Sequence, residues 1–329
     1  MKIRVIGSGS WGCALAQVLQ DNQQEVLIYG IDPQQVEDIN VNHKNSKFFE
    51  HVILNKDLKA TSNFDDVLDA DIVLLAVPVM AIEHVCLQLK EKLQHPVIVI
   101  NVAKGFHPEN HLRLSVVIKS ILQGKVKEVV SLIGPSHAEE TVLRMLTCIN
   151  AVCENEEVSK EIQQLFSNDY FRVYRQSDVV GAEIGVAIKN VMAIASGIIE
   201  GLGEGDNAKA ALMTRGLAEI TRYGLAHGAK SETYLGLTGV GDLIVTCTSK
   251  HSRNFQAGYQ IGKEDSAENF IKNNTKTVEG IKSAKAVYEE AKKLNISMPI
   301  TEQVYRVLYE NEKPSNTIKL LMKRDLKAE

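Results

Sequence analysis

Short apolar runs alternate with stretches of helical periodicity along the first half of the chain. Residues 2–6, 25–29, 72–77, 97–102 and 129–133 are rich in Val, Ile and Leu without strict apolar–polar alternation, as expected of strands covered on both faces. Between them, residues 11–20, 33–41, 80–93 and 111–122 carry helical patterns. Repeated βα units predict a parallel, doubly wound sheet, and two further runs, 146–152 and 171–174, extend it. Past residue 177 strand patterns nearly vanish. Residues 179–200, 208–227, 282–293, 300–309 and 317–323 then read as helices. The fold class is therefore α/β, with a doubly wound domain over 1–178 and an all-α domain over 179–329. Residues 243–248 are β-branched, which favours a strand, but their helical surroundings leave a helix or irregular turn equally open. The polar stretch 263–276 reads as a mobile loop, and the basic stretch 319–327 as a solvated helix face.

Gly7-Ser8-Gly9-Ser10-Trp11-Gly12 lies between the first strand and the first helix, the context in which G-x-G-x-x-G holds a dinucleotide. Gly7 allows the tight turn, Gly9 lets a pyrophosphate approach the backbone, and Gly12 lets the helix pack on the sheet. The domain is thus Rossmann-like. Asp32 follows the second strand, where an acid commonly meets the ribose hydroxyls; it is equally placed to cap a helix starting at Pro33. No Arg lies between Tyr29 and Asn40 to clamp a 2′-phosphate. With Asp32 repelling that phosphate, the expected cofactor is NAD, NADP being possible, with NADH preferred by about tenfold or more.

Three segments follow later strands: Val77-Pro78, Ala103-Lys104-Gly105 and Gly134-Pro135-Ser136-His137. Ligands of open α/β sheets bind outside the carboxyl ends of strands, so Lys104 and Ser136 are expected near the cofactor's reactive end. A solvated Lys104 is the plain alternative. Lys189 is the sharpest single residue. Its helical neighbours Gly185, Val186, Met192 and Ala193 are small or apolar, which places the ammonium on a buried face. A buried ammonium needs a partner or a task, unless it snorkels. Asp242, between Gly241 and Leu243, is the natural counter-charge or else a helix cap. Downstream, Ser252-Arg253-Asn254 has the chemistry of a phosphate cradle, Arg being shaped for bidentate capture.

Composition narrows the class. The 329 residues are 44% hydrophobic, enough for two cores. A net charge of -4 gives no basic stripe for nucleic acid. The five cysteines are scattered, as thiols of a reducing compartment are. None of the nine histidines falls in a metal-ligand spacing, so no metal is expected. Residues 184–202 are apolar but broken by Lys189, Asn190, Ser196 and Glu200, which argues against a membrane span. The chain runs from Met1-Lys2 straight into a strand, so no signal peptide is expected, and a cytoplasmic protein is the default.

Together these motifs closely resemble the bacterial form of the glycerol-3-phosphate dehydrogenase family. The resemblance covers nearly the whole chain. It includes the glycine loop, residues 134–140, Ile188-Lys189-Asn190-Val191, residues 201–211, residues 239–254, Val278-Glu279-Gly280 and residues 298–302. It implies reversible hydride transfer between a nicotinamide and dihydroxyacetone phosphate, giving sn-glycerol 3-phosphate for phospholipid synthesis. It implies Lys189 as proton donor, Lys104 as polarising and positioning group, and Asp242 and Thr246 as supports of Lys189. Gly134, Ser136, Ser252, Arg253 and Asn254 would hold the substrate. Ser10, Trp11, Lys104, Ala138, Arg253, Thr277 and Glu279 would touch the cofactor. A homodimer is implied as well. Two positions depart from the pattern: Ile31 stands where many bacterial relatives have Arg, and Leu146 where a Pro is usual. A dehydrogenase of 3-hydroxy acids, or a redox-sensing module without chemistry, are the rival readings. The phosphate cradle disfavours the first, and the presence of Lys104, Lys189 and Asp242 the second.

Overall fold

The computed structural model describes residues 1–275 and 277–326. The chain divides into two compact units, Met1–Val179 and Val180–Glu329.

Unit 1 is an eight-stranded sheet. Its strands are β1 (Lys2–Ile6), β2 (Glu25–Tyr29), β3 (Lys59–Thr61), β4 (Ile72–Leu75), β5 (Val97–Asn101), β6 (Val126–Ile133), β7 (Thr147–Val152) and β8 (Phe171–Gln176). Helices α1 (Ser10–Asp21), α2 (Pro33–Glu37), α3 (Val79–Lys92), α4 (Leu114–Ile121), α5 (Ala138–Thr141) and α6 (Glu156–Phe166) connect them. The spatial order is β3-β2-β1-β4-β5-β6-β7-β8. Pairing is parallel throughout except between β6 and β7. The winding reverses between β1 and β4, the switch point at which such sheets bind ligands. Alternate strand residues serve two cores. Ile3, Val5, Ile72, Leu74, Ile98 and Ile100 face one layer with α1; Ile6, Val73, Leu75, Val97 and Val99 face the other with α3 and α4. Burial on both faces is why these strands show no alternation in the sequence.

Local differences from the pattern have local causes. The helix expected over 33–41 ends at Glu37 and continues as a wider π turn, Asp38–Asn42. The helix expected from residue 111 starts at Leu114, because His111 is left-handed and Arg113 is drawn into a bridge with Phe106. Strand β3 is three residues long, two of them polar, too short to register as a period.

Unit 2 is helical: α7 (Val179–Gly201), α8 (Asp206–Ala226), α9 (Asp242–Thr248), α10 (Arg253–Glu264), α11 (Glu268–Asn273), α12 (Glu279–Lys293), α13 (Pro299–Tyr309) and α14 (Pro314–Met322). By length and composition α7 is apolar enough to cross a bilayer, yet its apolar window is wholly buried inside the protein. It is the core helix. A Cβ at Gly197 of α7 would stand 2.1 Å from Phe255 O, and one at Gly258 of α10 would stand 2.0 Å from Ile194 O. The two helices therefore cross at backbone contact, which fixes the start of α10 against the middle of α7. Residues 243–248 are helical, with Leu243, Thr246 and Cys247 on the buried face. The stretch 263–276 is not a loop throughout: α11 forms within it, anchored by buried Ala267 and Phe270. The ends of that stretch and of the basic stretch 319–327, Lys276 and Lys327, lie outside the described residues.

Candidate active site

In unit 1 the glycine loop has the geometry its spacing predicts. Gly7 has φ +119°, and a Cβ there would meet Ala76 O at 2.4 Å; a Cβ at Gly12 would meet Gly7 O at 2.1 Å. At Gly9 a Cβ would meet nothing within 4 Å. Gly9 is the N-cap of α1, with no side chain capping the helix. The N–H groups that open α1, beginning at Ser10 and Trp11, thus border open space beside a glycine, an arrangement that suits a pyrophosphate. The residues present fit a dinucleotide.

A buried amide network holds this loop. Ser8 Oγ donates to Gln35 Oε1 (2.7 Å), Gln35 Nε2 donates to Ser8 O (2.7 Å) and to Asn45 Oδ1 (2.8 Å), and Asn45 Nδ2 donates to Ser8 O (3.0 Å). Sequence reasoning missed Gln35 and Asn45, since nothing in residue type or spacing marks their contacts with Ser8, 27 and 37 residues away. Asp32 is the N-cap of α2, accepting from Gln34 N at 3.1 Å. It also pairs with Lys47 Nζ at 3.0 Å, and the Lys47 ammonium holds the Asp32 carboxyl below its ordinary range. Asp32 is therefore not the lone charge on which the expected preference for NADH rests. Lys47, past the stretch 29–40, balances it.

At the carboxyl ends of β5 and β6, Lys104 Nζ donates to Gly134 O at 2.8 Å and Ser136 Oγ donates to the same oxygen at 3.1 Å. Lys104, Gly134 and Ser136 are therefore neighbours. Ala138 opens α5 and is buried.

Unit 2 holds the other cluster. Lys189, on α7, is 4% exposed. Its Nζ lies 2.5 Å from Asp242 Oδ1 and donates to Thr246 Oγ1 at 2.7 Å. Thr246 Oγ1 in turn donates to Asp242 O at 2.6 Å. Asp242 and Thr246 are one turn apart on α9, so both reach the same ammonium. Cys247, next to them, is an inert thiol pushed up to about 12 by burial. Ser252 is the N-cap of α10, accepting from Phe255 N at 3.2 Å, so its hydroxyl is engaged by the helix. Asn254 Nδ2 donates to Asn190 Oδ1 (3.0 Å) and Asn254 Oδ1 accepts from Gly280 N (2.9 Å). Asn254 thereby ties α10 to α7 and α12. Arg253 is exposed at the first turn of α10. It borders a cavity of about 260 Å³ together with Gln256, Phe270, Asn274 and Val278. Thr277 is exposed, and Glu279 opens α12.

Two family models match the chain: the N-terminal part of NAD-dependent glycerol-3-phosphate dehydrogenase over residues 2–159, and its C-terminal part over 178–319. A glycerol-3-phosphate dehydrogenase [NAD(P)+] of Listeria monocytogenes is 48% identical, covering 100% of this chain and 98% of its own. One from Lactococcus lactis is 46% identical, covering 100% and 97%. The chain belongs to the NAD-dependent glycerol-3-phosphate dehydrogenase family. The crystal structure of the glycerol-3-phosphate dehydrogenase of Coxiella burnetii superimposes with a TM-score of 0.91 at 32% identity, covering 98% of this chain and 99% of that one. The chain is accordingly an NAD(P)-dependent oxidoreductase, with an N-terminal Rossmann-like sheet and a helical C-terminal part.

Proposed function

We propose that, in the reversible reduction of dihydroxyacetone phosphate to sn-glycerol 3-phosphate, Lys189 gives the proton to the ketone oxygen. The observation that carries this reading is the buried Lys189–Asp242–Thr246 cluster. When bound, the nicotinamide supplies the hydride to C2 of the ketone. Negative charge then grows on the carbonyl oxygen, and an ammonium beside it both neutralises that charge and supplies the proton. Asp242 stabilises the positive charge of the Lys189 ammonium on its buried face, and Thr246 fixes its direction. Lys189 is left as the neutral amine and recovers a proton from solvent. Lys104, braced on Gly134 O with Ser136, polarises and positions the ketone. Arg253, with Ser252 and Asn254 at the start of α10, holds the phosphate of the substrate. The Ser252 hydroxyl accepts from Phe255 N and keeps its own hydrogen as a donor, and Asn254 Nδ2 keeps one N–H beside its bond to Asn190.

Residues 1–178 act as the dinucleotide-binding domain and 179–329 as the substrate-binding and catalytic domain. The loop Gly7, Gly9, Ser10, Trp11 and Gly12, with Asp32 at the ribose and Lys104, Ala138, Arg253, Thr277 and Glu279, contacts the cofactor. The product feeds glycerophospholipid synthesis, and the protein works in the cytoplasm as a homodimer.

Asp242→Asn tests the reading. It keeps the shape of the side chain but leaves the Lys189 charge uncompensated. We expect kcat to fall by about a hundredfold or more while KM for the substrate changes little, in protein that circular dichroism shows to be folded. A folded variant with near wild-type kcat contradicts it.

A further inference from the structure

The loop after the π turn carries a cation, Lys47, to Asp32. Asn45 is fully buried and is held by Ser8 O, inside the glycine motif, and by Gln35 on α2. The Ser46 amide is fixed by Asp38 Oδ2 at 2.8 Å. Lys47 follows at once, so its position is set from the glycine loop itself. Its ammonium lies 3.0 Å from Asp32, the acid that follows β2. Beside Asp32, Ile31 is 85% exposed and offers no donor.

We propose that Lys47 is the specificity-determining cation for the cofactor: it cancels the charge of Asp32 and supplies the donor for a 2′-phosphate that Ile31 lacks, so that both NADH and NADPH are used. This rests on the placement of the ribose at Asp32 proposed above. An ion pair between two solvent-reached side chains is worth little, so at small cost Lys47 turns part of its N–H donors to a doubly charged 2′-phosphate while staying close enough to Asp32 to offset its charge. A phosphate is also the better partner, with three acceptor oxygens for the three N–H donors of an ammonium. With NADH the pair stays closed, and the Asp32 oxygens, which accept from Gln34 N and from Lys47, keep lone pairs for the ribose hydroxyls. One acid and one lysine thus serve two cofactors, where an arginine at position 31 would favour NADPH outright.

The test is kcat/KM for NADH and for NADPH, at low salt, in the wild type and in Lys47→Gln, Lys47→Arg and Asp32→Asn. We expect the wild type to use both cofactors within about tenfold of each other. Lys47→Gln should lose about tenfold to a hundredfold with NADPH, mainly through KM, while NADH changes by about threefold or less. Lys47→Arg should restore NADPH. A merely structural lysine would move both cofactors together, so a parallel loss, or an unchanged NADPH/NADH ratio, overturns the proposal. If the ratio is unchanged in Lys47→Gln but Asp32→Asn raises KM for NADH, the failure is confined to Lys47. If neither variant moves either cofactor, the placement of the ribose fails with it.

Discussion

Gly9 shows at a single residue how a binding site differs from a packed core. Gly7 and Gly12 admit no side chain because backbone already fills the place of a Cβ, whereas Gly9 is extended (φ -66°, ψ 177°) and faces open space. Gly9→Val should therefore fold, at a cost of about 1 kcal/mol for a poorer N-cap. The added methyls occupy the space that the pyrophosphate requires. NADH at a hundred times Kd should stabilise the wild type by about 2.7 kcal/mol and should leave the melting temperature of Gly9→Val unmoved. A variant still stabilised by NADH would show that the cofactor does not lie there. At this scale the sequence was informative where chemistry and periodicity coincide. Small residues three and four positions from Lys189 mark its face as buried, and 4% exposure is the result. Gln35, Asn45 and Lys47 left no such mark. Each owes its place to a partner distant in the chain, Ser8 or Asp32, and no local pattern encodes a long-range amide contact.

Helices and strands were legible in proportion to their length and burial. Strands β1 and β2 coincide with their apolar runs, and α7 with its long apolar stretch, because burial on nearly every side leaves few polar interruptions. Helix α10 escaped because its first residues, Ser252-Arg253-Asn254, read as a phosphate cradle; in the structure the same residues cap and begin a helix. Helix α13 was found, but not what holds its start. Met298, its N-cap, makes no side-chain cap. Glu219 of α8 does that work from outside, accepting from Ile300 N at 2.6 Å and from Thr301 N and Oγ1 at 3.2 Å each. The carboxyl is buried, and burial pushes it up to about 7. Between its ordinary value of 4.5 and about 7 the folded protein holds a proton that the unfolded chain has released. The stability from Glu219 is therefore complete below about pH 4.5 and is lost as pH rises through 7, a swing on the order of 3 kcal/mol. Urea unfolding of the wild type and of Glu219→Gln across pH 4.5 to 8 isolates this term. The difference in stability between the two should change with pH by that amount and in that direction. A constant difference would mean that Glu219 titrates normally in the folded protein.

On the scale of the whole molecule, each compact unit has its own core and its own chemistry. Unit 1 carries the glycine loop and the Lys104–Gly134–Ser136 group, and unit 2 carries Lys189, Asp242 and Thr246. The switch from strand-and-helix texture to pure helix near residue 178 was visible because parallel strands and amphipathic helices differ in period. The pairing of Lys189 with Asp242 was foreseeable in kind, since a buried ammonium requires a counter-charge. The turn that also delivers Thr246 to the same nitrogen depends on 243–248 being a helix, which β-branched propensity alone would have denied. The central claim is that this ammonium is the proton donor, and Lys189→Met tests it most directly. Methionine keeps the stem and the volume while deleting the charge and the proton. With chemistry shown to be rate-limiting by single-turnover kinetics, kcat for dihydroxyacetone phosphate should fall by at least about 10³. The variant should remain folded and should still bind NADH. A Lys189→Met enzyme that keeps more than about a tenth of wild-type kcat under those conditions contradicts the account and makes Lys104 the next candidate for the proton donor.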